Sequence, residues 1–145
     1  MNRDKPLVSF HFLIRTTLPH RNGLRLFLAG LFLREGQQLG ELKYIFCDDK
    51  YLLDLNRTFL KHNFYTDILS FPSLQDENKK VSGEIYISVD RVRENAVDLG
   101  TSFKQEIHRV IFHGALHLCH YKDKTKKEQD QMRSKEDEYL KRYLK

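Results

Sequence analysis

SFKQEIHRVIFHGALHLCHYKD, residues 102 to 123, is the stretch on which the reading of this chain turns. Ser102 is placed to cap a helix N-terminus, with Gln105 three positions on in capping-box register, and Gly100 just before it closes an earlier helix. Phe103, Ile107, Val110, Ile111, Gly114 and Leu118 fall on one stripe of the new helix, and Phe112 and Leu116 make the rest of it unusually apolar. A helix apolar over that much of its circumference belongs inside a domain. His113 and His117 lie along the edge of the stripe, four positions apart and about 40° apart in projection, so both imidazoles face one cleft wall.

Two imidazoles so arranged can hold one metal ion, and a third ligand is then expected shortly past the helix end. Asp123 stands ten residues after His113, the offset used by zinc sites whose helix is broken to bring back a third ligand; His120 competes for the role if the helix runs one residue further. The residue after the first histidine is Gly114, where zinc proteases of the HExxH type carry their general base, which argues against peptide hydrolysis by that route. Cys119 lies on the turn away from the two histidines and reads as packing.

Working outward, strand and helix patterns alternate. Val8 to Leu13 reads as a strand, Pro19 to Glu35 as a helix stopping near Gly36, and Glu41 to Cys47 as a strand in which Leu42, Tyr44 and Phe46 alternate with Lys43, Ile45 and Cys47. Asp48 and Asp49 open a helix through Phe59. Asp67 to Phe71 and Glu84 to Val89 are short strands around a polar loop with Pro72 and Asp76 to Lys80, and Ser88 or Asp90 opens the helix that stops at Gly100. A C-terminal helix follows, and the charged residues after Glu128 read as a solvated face with ion pairs along the helix. The pattern predicts an α+β domain spanning residues 1–145: a single small mixed sheet of about four strands covered by about five helices, with the metal site on a central helix.

Length and composition agree with one domain, since 145 residues can bury a real core and no linker or repeat divides them. A formal charge of +5 suits a polyanionic partner such as RNA. The apolar run Leu24 to Leu33 is too short to span a bilayer and contains Arg25, so no membrane partner is expected. Cys47 and Cys119 form neither a disulfide framework nor a CxxC pair, and the N-terminus lacks the apolar core of a signal peptide; a reducing cytoplasm and no disulfide-linked partner are the expectations.

Four segments, in order, are Leu55-Asn56, Thr66-Asp67-Ile68-Leu69-Ser70-Phe71-Pro72, Gly83-Glu84-Ile85 and His113-Gly114-Ala115-Leu116-His117-Leu118. Through them the chain resembles the YbeY family of bacterial metal-dependent endoribonucleases. The resemblance implies single-strand-specific cleavage of RNA, a role in ribosomal RNA maturation (3′-end processing of small-subunit ribosomal RNA) and ribosome quality control, and ribosomal RNA, the ribosome or ribosomal proteins as partners. It also implies one divalent metal ion, with Zn2+ expected, and a cleft wall formed by the strand that carries Ser70, which would face the substrate. Two departures are visible. The family's commoner ending, Gly-Tyr-Asp-His with the last His as third ligand, is here His120-Tyr121-Lys122-Asp123, so the third ligand becomes a carboxylate, which zinc accepts. The arginine that family members carry five residues after the Leu of the Leu-Asn pair is here Leu60. Arg57, Lys61 and His62 are nearby replacements; Arg57 and Lys61 would share a face, and could touch phosphate, if the helix reaches that far. Glu84 is a weaker catalytic candidate. Two other classes stand beside the nuclease: a ribosome- or RNA-binding protein whose metal is structural, and a metallohydrolase of another substrate.

Overall fold

Alternation in one strand sets the layers. The computed structural model describes residues 7–73 and 79–144. Among these residues the elements run β1 (Val8–Phe12), α1 (Arg21–Arg34), β2 (Leu39–Cys47), α2 (Asp49–Leu60), β3 (Ile68–Pro72), β4 (Val81–Ser88), α3 (Val89–Leu99), α4 (Phe103–Leu118) and α5 (Lys126–Tyr143). They build one sheet in the order β1-β2-β4-β3, with β1, β2 and β4 parallel and β3 antiparallel to β4. This is the α+β arrangement the sequence predicts. In β2, Leu42, Tyr44 and Phe46 are fully buried with Leu24, Leu28 and Phe32 of α1 and Ile111 and Ala115 of α4. Cys47 turns to the other face, where it packs with Leu52 of α2 and Leu69 of β3. Truncating a side chain as enclosed as Phe46 costs about 3–5 kcal/mol. The one polar atom in that stripe is satisfied, because the Tyr44 hydroxyl donates to the carbonyl of Ile111 at 2.8 Å and so ties β2 to α4.

Helix starts follow the capping residues. Asp48, Ser88 and Ser102 each accept a backbone N–H three residues on, from Tyr51, Arg91 and Gln105. α5 begins earlier than its charge pattern alone suggests, at a capping box between Thr125 and Glu128. Strand starts are the larger differences: β4 begins at Val81, not Glu84, with Gly83 inside it. A Cβ on Gly83 would stand 3.0 Å from the Phe71 carbonyl oxygen and 3.2 Å from Pro72 Cα, so a residue that reads as a strand breaker is what lets β3 approach β4. Of the expected polar loop, residues 74–78 lie outside the described residues.

α4 is the central helix. It packs on β3 and β4 and is flanked by α1, α3 and α5. Contact with the sheet is closest at Gly114, where a Cβ would come within 2.9 Å of both the Ile68 and Ile85 Cδ1 atoms. A side chain there would have to push both isoleucine methyls aside, so the close approach of α4 to the strands favours glycine where HExxH proteases carry glutamate. Among the described residues no helix is long and apolar enough to cross a membrane.

Candidate metal centre

The site is built from one helix and the turn that ends it. α4 stops at Leu118, and His120 takes the left-handed conformation (φ 77°). The His120 N–H then donates to the His117 carbonyl (3.0 Å) and the Tyr121 N–H to the Leu116 carbonyl (3.1 Å), the paired bonds of a Schellman stop. That reversal swings Asp123 back beside the helix it has just left. His113 Nε2 lies 3.4 Å and His117 Nε2 3.2 Å from the same oxygen, Asp123 Oδ2, and the three ligand atoms fall within 4.8 Å of one another. Donors about 2.0–2.1 Å from a tetrahedral ion sit about 3.4 Å apart, so this donor set fits a divalent cation of the zinc type. His120 itself is exposed and serves as the helix stop, not as a member of the cluster.

Behind His113 stands a buried ionic network. Its Nδ1 lies 2.5 Å from Glu136 Oε2, and Glu136, on α5, is only 2 % exposed. Burial alone would raise the Glu136 carboxyl; the hydrogen bonds from His113 and Arg109 and the charge of Arg109 hold it below the ordinary carboxylate value instead. An ionised carboxylate can only accept, which puts the imidazole hydrogen on Nδ1 and turns the Nε2 lone pair toward Asp123. Arg109 completes the network: Nη1 bonds Glu136 Oε1 at 3.0 Å, Nε bonds Glu106 Oε1 at 2.8 Å, and Nη2 bonds Glu106 Oε2. A second anchor holds the turn. Glu35, at the end of α1, accepts from Tyr121 (2.7 Å), from Tyr139 and from Lys135. Against the raising effect of burial, these bonds keep its carboxyl below the ordinary range.

The three clustered residues open into a cleft of about 590 Å³ lined also by Leu60, Thr66, Asp67, Ile68, Leu69, Ser70, Arg109, Val110 and Lys124. Ser70 thus stands on the cleft wall. Leu60, where the resemblance puts an arginine, lines the cleft too. Neither Arg57 nor Lys61 does: α2 ends at Leu60, Lys61 takes a left-handed cap (φ 59°), and Arg57 donates to Asn63 Oδ1 at 2.6 Å. The shared helical face that would have aimed both at phosphate does not form. His62 is likewise exposed in the loop beyond α2. Glu84 accepts from the Tyr86 hydroxyl at 3.0 Å and lines a separate depression with Lys43 and Ser73. Asp67 was read as a strand-start residue, yet it lines the cleft; burial pushes its carboxyl up, opposed by neighbouring His113 and Arg109, and Asn95 Nδ2 donates to it at 3.1 Å. Arg109, Glu136 and Glu35 went unread in the sequence. For Glu136 a signal existed, since Met132, Glu136, Tyr139 and Leu140 form a buried stripe at helical spacing.

A comparison of the sequence with known families finds that the YbeY family model, described as Endoribonuclease YbeY, matches residues 24–144. The chain belongs to the YbeY family. A YbeY relative from Flavobacterium psychrophilum, named Endoribonuclease YbeY, is 45% identical over 136 residues, covering 93% of this chain and 95% of the relative. Another of the same name, from Cytophaga hutchinsonii, is 47% identical over 123 residues, 85% of each chain. Among solved structures, the solution structure of a Thermotoga maritima protein superposes with a TM-score of 0.61 at 26% identity, over 90% of this chain and 86% of that one. The YbeY match runs from within α1 through α5, including all three residues of the cluster.

Proposed function

We propose that this chain is a metal-dependent, single-strand-specific endoribonuclease of the cytoplasm. Its substrate is ribosomal RNA, and its work lies in ribosomal RNA maturation and ribosome quality control, in contact with the ribosome or ribosomal proteins. The observation that carries this reading is the convergence of His113, His117 and Asp123 at an open cleft in a chain whose relatives are named endoribonucleases. These three residues hold one divalent ion, Zn2+ by the chemistry of two imidazole nitrogens and one carboxylate oxygen. Bound there, the ion supplies Lewis acidity to a phosphodiester and lowers the pKa of water.

The chain's own groups do the rest. Glu136 fixes the His113 tautomer, and Arg109, committed to two carboxylates, keeps Glu136 ionised. Ser70 offers a hydroxyl on the facing wall, and Lys124, exposed next to Asp123, supplies a cation for a phosphate oxygen.

The test incubates purified protein with single-stranded RNA with and without chelator, beside His117→Ala, and measures bound metal in each. Expected are cleavage by the wild type only, loss with chelator, and loss of metal in the variant. Equal degradation by wild type and His117→Ala would sink the nuclease reading. Leu60 supports a second one, a binding protein with a structural metal, because a cleft without the family arginine lacks a phosphate contact; tight binding without cleavage, falling steeply with salt, would favour it.

A further inference from the structure

Eleven large apolar side chains stand exposed among the described residues, and Phe59, Leu60, Phe64 and Tyr65 fall within seven consecutive positions between the end of α2 and β3. The segment carrying them is firmly fastened. The His62 N–H donates to the Asn56 carbonyl (3.1 Å), Asn56 Nδ2 donates to the Phe64 carbonyl (2.9 Å), and Arg57 Nε donates to Asn63 Oδ1 (2.6 Å). Asn56 is 1 % exposed, so the loop hangs from a buried amide. Its rings stand out in solvent beside exposed Lys61, His62 and Asn63: Phe59 is 62%, Phe64 56% and Tyr65 54% exposed.

The rings have the geometry of a stacking surface. His62 and Phe64 lie nearly parallel, 20° apart with centroids at 5.1 Å, and the Arg91 guanidinium sits 5.0 Å over the Tyr65 ring. Exposed Arg57 and Lys61 lie in the same stretch of chain. The strip also runs into the cleft, because Leu60 before it and Thr66 and Asp67 after it line the same cavity as His113, His117 and Asp123. Exposed aromatic faces in a stretch that also carries cations suit a chain of unpaired bases on a phosphate backbone, whereas the bases of a duplex are already stacked on one another.

We infer that residues 59–65 form a platform on which unpaired bases of single-stranded RNA stack while the backbone enters the cleft. The inference rests on the RNA-cleaving function proposed above and assigns the part of that site which selects single strands. It also gives Arg57 and Lys61 a place at the rim, beside the backbone and away from the reacting phosphate.

The experiment measures binding of a labelled oligoadenylate of about ten nucleotides to the full chain by fluorescence anisotropy, in chelator so that the strand stays intact. Phe64→Ala and Tyr65→Ala are compared with wild type and with Leu26→Ala, an exposed apolar residue on α1 at the opposite edge of the sheet. Each platform variant is expected to bind about tenfold more weakly, with Leu26→Ala unchanged. The same oligonucleotide with abasic positions should bind wild type and variants alike. If wild type binds RNA and Phe64→Ala and Tyr65→Ala bind it equally well, or if their loss persists on the abasic strand, the platform is wrong while the RNA reading stands; in the second case the strip meets the backbone and stacks no base. Absence of RNA binding by the wild type would overturn both.

Discussion

The two walls of the cleft are built on opposite plans. The α4 wall carries charge held from behind: His113 is braced by Glu136, Glu136 by Arg109, Arg109 by Glu106, and the turn bearing Asp123 is tied down through Tyr121 and Glu35. The facing wall, from Leu60 through Ser70, offers hydroxyls at Thr66 and Ser70, apolar side chains and one carboxyl at Asp67, and contributes no cation to the cleft lining. On the function proposed above, chemistry would sit on one wall and the substrate would be shaped by the other. A wall that must hold ligand atoms to within a few tenths of an ångström needs buried partners on rigid elements, whereas a wall that receives a flexible strand does not.

The most damaging way to break this division is to remove the brace. Glu136→Leu should cost about 3 kcal/mol of stability, because Arg109 and His113 lose a buried partner, and should weaken metal binding about 10- to 100-fold. Glu136→Gln, which still accepts from Nδ1, should recover much of the metal affinity, as titration calorimetry would show; equal affinity in Glu136→Leu and wild type would mean the brace is idle.

Loosening the turn comes next. Hydrogen bonds hold the Glu35 carboxyl below its ordinary value, so the stability it contributes is fully present above about pH 4.5 and is lost as pH falls through the lowered value. Glu35→Gln should therefore be less stable than wild type at neutral pH by about 1–2 kcal/mol, with the gap narrowing as pH falls below about 4.5. Urea midpoints on either side of that pH are the measurement. A gap that widened on acidification would contradict the assignment.

Leu60→Arg makes the walls more alike. A cation added to the wall that has none should raise RNA affinity several-fold at low salt and steepen the salt dependence by about 0.7 in log–log slope, one phosphate contact on a single strand. An unchanged slope would mean that position 60 does not reach the backbone.

The smallest change sharpens the contrast between two helix stops. α3 ends on Gly100 (φ 67°) and α4 on His120 (φ 77°), the same backbone conformation with a side chain in only one case. His120→Gly should stabilise the protein by about 1 kcal/mol or less, seen as a rise in Tm, without altering metal affinity. Loss of metal would make His120 a ligand after all.

Much of the α4 wall could be read from the chain because it is local. Ser102, the apolar stripe, His113, His117 and Asp123 fall within one stretch, where helical geometry alone decides who meets whom. The brace is only half legible: the spacing of Met132, Glu136, Tyr139 and Leu140 marks Glu136 as inward-facing, but nothing local says that it meets His113, which lies on another helix. Gly83 misled for a similar reason: its lack of a side chain matters to β3, which no local pattern discloses. At Leu60 the resemblance identified the position and the structure its location, but the neighbours Arg57 and Lys61 were judged by sequence distance, and a left-handed cap at Lys61 turned them elsewhere.

The Schellman stop has a consequence for how the ion couples to folding. All three donors lie between positions 113 and 123, so even an unfolded chain carries them close together and can chelate weakly. Binding to both states cancels in part, and metal should raise the melting temperature by less than its native-state affinity suggests. The shortfall would gauge how much of the grip comes from Glu136 and Glu35, whose help arrives only once α5 and α1 have docked.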